Sequence, residues 1–399
     1  MMSTLQDAYI VAATRTPVGK RNGMFRNARP DDLLAHSLAR VVAQVPGLDP
    51  AEIGDVIVGC AMPEAEQGMN VARIGLLLAG LPERVPGYTL NRFCASGLQA
   101  VADAAQRIRL GEADVMVAAG TESMSIMSQM MGNKVALNPR LFADLHLRDV
   151  AYGMGLTAEK VAQQWKISRD AQDAFAAESH HRAVAAIAAG HFTAEITPTP
   201  VQRYAPGTNG MVQRTDEVVQ QDEGPRADAT PEKLAKLKPV FAARGSVTAG
   251  NSSQMSDGAA AVLLMSEAAV RRSGATPIAR FRSYSVAGVP PAIMGIGPVE
   301  ALPRAAKAAG LAVADLDWIE LNEAFAAQAL AVMQELQLDP ARVNPLGGAI
   351  ALGHPLGATG AIRTATLMSA MQRDPTLRLG AITMCIGTGM GAAGVFERV

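Results

Sequence analysis

Hydrophobic and polar positions fall into two periods in the N-terminal and C-terminal thirds of the chain. Short apolar runs such as Asp55-Val56-Ile57-Val58-Gly59 and Val117-Ala118-Ala119-Gly120-Thr121 read as buried strands. Between them Leu98, Val101, Ala102, Ala105 and Ile108 recur at helical spacing, and Gly111 supplies a stop, so a helix is predicted to open just after Cys94. Apolar strands alternating with amphipathic helices predict βαβ units and a mainly parallel sheet in each third, an α/β fold.

The two thirds are weakly duplicated. Asp55–Gly59 matches Asp317-Trp318-Ile319-Glu320-Leu321, each a strand after a short polar lead. Asn91-Arg92-Phe93-Cys94-Ala95-Ser96-Gly97 matches His354-Pro355-Leu356-Gly357-Ala358-Thr359-Gly360, each a turn opening a helix. Val117–Thr121 matches Met384-Cys385-Ile386-Gly387-Thr388, each read as the end of a strand. Two such halves are expected to pack face to face with their turns meeting at one seam. Residues 122–246 read differently. Met124, Met127, Met130 and Met131 lead into loop-rich sequence, a long helix runs from a Ser168 N-cap to Gly190, and Thr197-Pro198-Thr199-Pro200 opens polar, Pro- and Gly-punctuated sequence to Pro239. The segment is a candidate lid or ligand-binding insertion, with an oligomer interface as the alternative.

Composition narrows the class without choosing a function. With 49% hydrophobic and 18% charged residues and a net charge of −1, the chain has the balance of a large globular protein and no global attraction for nucleic acid or an anionic membrane. The three cysteines, Cys60, Cys94 and Cys385, are too few and too scattered for a disulfide framework or a zinc site, which suits a reducing compartment. Met1-Met2-Ser3 does not begin a secretory signal, no apolar run approaches bilayer length, and Glu397-Arg398-Val399 is not a peroxisomal address. Cytoplasm is the expected location.

Chemistry concentrates at the corresponding turns. Cys94 precedes a helix whose free N–H groups favour an anion, so its thiol is expected to titrate lower than usual; an inert buried cysteine is the alternative. His354 stands where Asn91 stands in the repeat, whereas His36, His146, His180, His181 and His191 lie in polar or helical contexts without such a setting. A neutral imidazole near a thiol can take its proton. Cys385 enters the glycine-rich turn Gly387-Thr388-Gly389, expected to expose it and to point backbone N–H groups at a ligand. Asn322, after a strand, could hold a water or a carbonyl at the same seam. Together these residues point to acyl chemistry with a thiol nucleophile.

Five motifs in order resemble the thiolase family across essentially the whole chain: Asn91-x-x-Cys94-x-Ser96-Gly97, Ser246–Ser253, Asn322-Glu323-Ala324-Phe325, Gly347–Pro355 and Cys385-Ile386-Gly387. The C-terminal third is most similar to degradative 3-ketoacyl-CoA thiolases (acetyl-CoA C-acyltransferases). The resemblance implies the thiolase fold: two duplicated βαβαβ-type halves in an α-β-α-β-α sandwich with an inserted loop domain. Its expected boundaries are 1–121 plus 247–273, 122–246 and 274–399. It also implies roles. Cys94 would be the nucleophile, His354 would take the thiol proton, and Cys385 would protonate the leaving carbanion and later deprotonate the incoming thiol. One oxyanion hole would comprise His354 and a water held by Asn322; the other, the N–H groups of Cys94 and Gly387. Coenzyme A would be a substrate rather than a cofactor, with no metal. Arg226 would meet its nucleotide end, Ala249 and Ser253 its pantetheine arm, while Phe241, Ala324, Phe325 and Met154 would line the tunnel. The basic run Lys233–Lys238 suits phosphates or a solvated helix face. A homodimer or homotetramer is implied.

The chain departs from biosynthetic acetoacetyl-CoA thiolases, which usually carry His-Met where Gly153-Met154 stands, and this favours the degradative class. Ala358 replaces a frequent Cys at a position outside the implied roles. The biosynthetic acetoacetyl-CoA thiolase, an acetyl-CoA C-acetyltransferase, stays as the alternative, whereas ketoacyl synthases are disfavoured because Asn322–Phe325 and Cys385 stand where they use a second His and no acid–base cysteine. A non-catalytic acyl-binding scaffold would be expected to have lost Cys94, His354 or Cys385.

Overall fold

The computed structural model describes residues 5–127, 137–143, 147–207 and 211–399. Met130, Met131 and His146, named above, lie outside the described residues. Among the described residues twelve strands run in chain order: β1 (Ala8–Arg15), β2 (Gly19–Lys20), β3 (Asp55–Gly59), β4 (Gly87–Leu90), β5 (Val115–Ser123), β6 (Thr199–Pro206), β7 (Val212–Val219), β8 (Ser256–Ser266), β9 (Ala279–Gly288), β10 (Trp318–Leu321), β11 (Leu379–Ile386) and β12 (Met390–Arg398).

All but β6 and β7 join one sheet in the order β10-β11-β12-β9-β1-β8-β5-β3-β4, with β2 on β8. The expected mainly parallel halves are in fact mixed. Among the described strands only β3/β4, β3/β5 and β10/β11 pair in parallel. The cause is connectivity. A parallel neighbour needs a crossover, but β12 follows β11 through a tight turn, and β8 returns from the insertion to lie antiparallel between β5 and β1. Between β1 and β9 the two half-sheets share a ladder of only Tyr9–Arg280 and Ile10–Ala279.

Burial of both faces of each half-sheet builds the layers. Along β8, Ala260, Val262 and Leu264 point to one cluster with Leu98, Val101 and Ile108, and Ala261, Leu263 and Met265 to another with Leu34, Leu38 and Leu76. That two-residue alternation separates a middle helix layer from an outer one. The middle layer is helix Ser96–Arg109 with helix Thr359–Arg373; the outer helices are Pro30–Ala43 and Val71–Leu78 on one side, Gly297–Ala308 and Ala326–Leu336 on the other. This is the α-β-α-β-α sandwich.

The duplication is visible in the elements. A 3₁₀ turn, Phe93–Ala95, precedes one middle helix, and Leu356–Ala358 precedes the other. The third match is out of register, however: Ile57 pairs with Ala118 and its counterpart Ile319 with Ala381, so Val117 does not correspond to Met384. Val117–Thr121 lies inside β5, which runs on to Ser123, while β11 stops at Ile386. What brings the two turns together is glycine. A Cβ on Gly360 would stand 2.0 Å from the backbone N of Leu98, and one on Gly97 2.7 Å from that of Ala361. The middle helices therefore meet backbone to backbone at their N-terminal ends, and the Cys94 and His354 turns become neighbours.

The long insertion helix forms as predicted, over Arg169–Ala188 with the Ser168 side chain accepting from Ala171 N–H at 3.1 Å. The exposed hairpin β6–β7 was not foreseen. Buried Arg15 of β1 ties the insertion to the core, pairing with Glu195 at 2.6 Å and Asp222 at 2.7 Å. Among the described residues no helix is long and apolar enough to cross a membrane.

Candidate active site

Cys94 follows Phe93, whose φ of +46° is a strained left-handed conformation for a side chain of that size. Local hydrogen bonds impose it. Asn91 Oδ1 accepts from Phe93 N–H at 2.8 Å, and Ser96 Oγ accepts from Arg92 N–H at 2.8 Å while donating to the Phe93 carbonyl at 2.7 Å. These are polar residues of the Asn91–Gly97 motif, and they fix the turn on which Cys94 sits.

The thiol does not titrate low. Burial pushes Cys94 up to about 11, against the pull of N–H groups from Gly387 and from Cys94 itself, and Glu122 adds to the rise. The expectation from the helix start thus fails on magnitude: desolvation by the facing half outweighs local dipoles. Cys385 is also not exposed by its glycines. It is 1% exposed, because Ala158, Val247, Met294, Ala324 and Phe325 close over it. Burial pushes its thiol up, and proximity to Cys94 pushes it further. Two protonated thiols therefore lie within electrostatic reach of each other, with the Gly387 N–H directed at the Cys94 sulfur.

His354 is buried and neutral. Burial, then the Arg363 charge, lowers it to about 3. Its Nδ1 lies 2.6 Å from Thr359 Oγ1, and that hydroxyl donates to the Pro355 carbonyl at 3.0 Å. A hydroxyl spending its proton on Pro355 must accept from the ring, so the proton sits on Nδ1 and the Nε2 lone pair faces Asn322 Nδ2 at 3.3 Å. The His354 backbone N–H is held by Ser256 Oγ at 3.1 Å. Asn322 Oδ1 is buried without a partner among the described residues, an acceptor suited to a water or a ligand donor.

The remaining predicted residues form two neighbouring groups. Phe241 meets Phe325 edge-on at 6.1 Å, and Met154 Sδ would lie 3.5 Å from a Cβ on Gly387, so the tunnel residues converge on the Cys385 end of the site. Ser253 N–H donates to the Ala324 carbonyl at 2.9 Å, fixing the returning strand against that wall. Arg226 and Ala249 line a separate cavity of about 680 Å³ with Lys233.

Several contributing residues were not singled out from sequence. Thr359 sets the His354 tautomer. Glu122 Oε2 accepts from the N–H groups of Ala61 and Gly357, both at 2.8 Å, and so pins the His354 turn to the first half. Glu323 binds Ser179, Asn344 and the Ile350 N–H behind Asn322. A carboxylate in or beside an otherwise buried strand is the signal that could have marked Glu122 and Glu323. His180 proves to be buried, its Nδ1 accepting the Arg226 N–H at 3.2 Å, and lines the 680 Å³ cavity.

Residues 8–268 match the model of the thiolase N-terminal domain, and residues 275–398 that of the thiolase C-terminal domain. The chain belongs to the thiolase family. It is 49% identical to the 3-ketoacyl-CoA thiolase of Bacillus subtilis strain 168, over 98% of this chain and 100% of that one. Among solved structures, the dimeric peroxisomal thiolase of Saccharomyces cerevisiae superposes with a TM-score of 0.89 at 39% identity, covering 99% of this chain and 98% of that one. The acetyl-CoA acetyltransferase of Bacillus anthracis gives 0.88 at 39% identity over 99% and 100%. The N-terminal and C-terminal thiolase domains are therefore both present in one chain.

Proposed function

We infer that this thiolase is an acetyl-CoA C-acyltransferase, cleaving 3-ketoacyl-CoA with coenzyme A to acetyl-CoA and a shortened acyl-CoA, as in fatty acid β-oxidation. The observation that carries the reading is the half-buried Cys94 thiol, met by the Gly387 N–H and within electrostatic reach of the buried Cys385 thiol, together with a neutral imidazole of fixed tautomer on the neighbouring turn. Full-length identity of 49% to a 3-ketoacyl-CoA thiolase supports the degradative direction.

The chemistry follows from the protonation states. With Cys94 held up at about 11 and His354 held down at about 3, the resting pair is thiol and imidazole, not thiolate and imidazolium. Proton transfer to Nε2 therefore accompanies attack of Cys94 on the 3-keto carbon. His354 then carries an Nε2–H and becomes a donor, the state an oxyanion hole with an Asn322-held water requires. The carbonyl oxygen gains charge against the N–H groups of Cys94 and Gly387, where each fixed donor is worth about 10²–10³ in rate. Breaking the C2–C3 bond leaves its electron pair on C2 as the acetyl-CoA enolate, and Cys385 supplies the proton. A second coenzyme A then gives its thiol proton to the Cys385 thiolate and attacks the acyl-Cys94 thioester; Cys94 departs and recovers its proton from His354. Ala324, Phe325, Phe241 and Met154 enclose the pantetheine arm, with Ala249 and Ser253 beside it and Arg226 at the nucleotide.

The proposed division is residues 1–121 plus 247–273, the insertion 122–246, and 274–399. A homodimer is part of the reading. The dimeric peroxisomal thiolase of Saccharomyces cerevisiae supports it, as does the edge strand β4, whose outer edge is unpaired among the described residues and flanked by exposed Met69, Leu78 and Tyr88. A cytoplasmic location rests on three free cysteines, which suit a reducing compartment. A thiolysis assay across 3-ketoacyl-CoA chain lengths tests the activity. Turnover of acetoacetyl-CoA alone would favour the acetyltransferase reading, and no turnover of any length would end both.

A further inference from the structure

The 680 Å³ cavity has a second wall, made by Lys20 and Arg21 where β2 ends. The turn that carries them is held by its backbone. Glu223 Oε2 accepts from the N–H groups of Lys20 at 2.9 Å and Met24 at 3.0 Å, Arg21 N–H donates to the Met255 carbonyl at 2.9 Å, and Asn22 N–H donates to Ser125 Oγ at 2.7 Å. The side chains are thereby left to the cavity. Among the described residues neither Lys20 nor Arg21 pairs with a carboxylate, and the Arg21 guanidinium meets only the Met255 thioether, at 3.8 Å.

The facing wall is less cationic than its residues suggest. Lys233 is engaged by Asp228 at 3.0 Å, the one carboxylate lining the cavity, which leaves Arg226 as the uncompensated charge there. Neutral His180 adds none. Two adjacent cations without partners stand opposite a single one. Coenzyme A presents a matching asymmetry: a terminal dianionic phosphate on the ribose, and a pyrophosphate whose two groups each carry one charge. A dianion gains most from two cations side by side.

We propose that Lys20 and Arg21 bind the ribose 3′-phosphate of coenzyme A and make the enzyme distinguish it from 3′-dephospho-coenzyme A, an inference that rests on the acyl-CoA reading above. Arg226 remains for the pyrophosphate end. The cations come from the first core half and Arg226 from the insertion, so the nucleotide would bridge the two.

The test is steady-state thiolysis with coenzyme A and with 3′-dephospho-coenzyme A as the accepting thiol, for the wild type and for Lys20→Ala/Arg21→Ala. The wild type should prefer coenzyme A by about tenfold or more in kcat/KM, the scale of one partly exposed charge-assisted contact. The double variant should lose that preference through KM for coenzyme A, its kcat/KM falling to the dephospho value, and added salt should erode the wild-type preference in parallel. Lys20→Gln/Arg21→Gln, which keeps the stems, should behave alike. Retention of the preference in both variants, or its absence from the wild type, overturns the proposal. Wild type inactive with either thiol would instead overturn the thiolase activity on which it rests.

Discussion

Replacing Thr359 with valine removes one hydroxyl at almost constant volume and so isolates the His354 tautomer. Thr359 is buried, and its Oγ1 is both the acceptor for His354 Nδ1–H at 2.6 Å and the donor to the Pro355 carbonyl at 3.0 Å. In Thr359→Val the imidazole either keeps its proton on an unsatisfied buried Nδ1 or moves it to Nε2, where it would face the Asn322 amide donor and occupy the lone pair that must accept the Cys94 proton. Each alternative costs about 1–3 kcal/mol, the desolvation penalty of an unpaired buried group. That corresponds to about 5- to 150-fold slower acylation. Rapid-quench acylation with a 3-ketoacyl-CoA at neutral pH measures it, and Thr359→Ser, which keeps the hydroxyl, should recover most of the loss. A folded Thr359→Val that acylates at the wild-type rate would refute the tautomer assignment and with it the role of Nε2.

Other consequences can be checked independently. Because burial raises Cys94 to about 11, alkylation of the free enzyme by iodoacetamide should keep accelerating as pH rises above 9; a plateau below pH 8 would mean a thiolate at rest. Cys385→Ser should still acylate at Cys94 while turnover falls by about 10²–10⁴, as for loss of a positioned proton donor; full turnover would remove Cys385 from the mechanism. Gly360→Ala forces a Cβ to within 2.0 Å of the Leu98 backbone N, where nothing flexible can yield, so the denaturant midpoint should drop by the equivalent of about 1–3 kcal/mol and activity should drop with it. Burial would raise the Glu397 carboxyl, but hydrogen bonds from Arg282, Arg280 and Arg378 outweigh it and hold it down to about 2. A depressed carboxylate stabilises the fold above its unfolded pKa and loses that contribution as pH falls towards 2. Glu397→Gln should therefore lower the melting temperature at pH 7 and make little difference near pH 2.

Much of the fold was legible because it is periodic. The middle helix after Cys94, the insertion helix after Ser168 and the corresponding strands β3 and β10 of the repeat each carry their own local signal, and the repeated turns are recognisable in sequence because glycines sit where two helix backbones touch. Strand direction was not legible. The pattern of β8 reads as buried on both faces, but whether its neighbours run with or against it depends on a connection through more than a hundred residues of insertion.

The site divided in the same way. Residue types with few alternatives, Cys94, His354, Asn322 and Cys385, stood out by their turns. Their protonation did not, because the helix start acts locally whereas desolvation comes from the other half of the molecule. Thr359, Glu122, Lys20 and Arg21 look like ordinary helix-start, strand-end and turn residues. Only packing sets Thr359 against the imidazole, Glu122 between two turns, and Lys20 and Arg21 along a cavity wall.

The central claim, that Cys94 carries the acyl group while Cys385 moves the proton, is tested most directly by peptide mass spectrometry of enzyme quenched after mixing with acetyl-CoA. The account predicts a single acetyl group on the peptide containing Cys94 and an unmodified Cys385. An acetyl group on Cys385, or an unmodified Cys94, would contradict it.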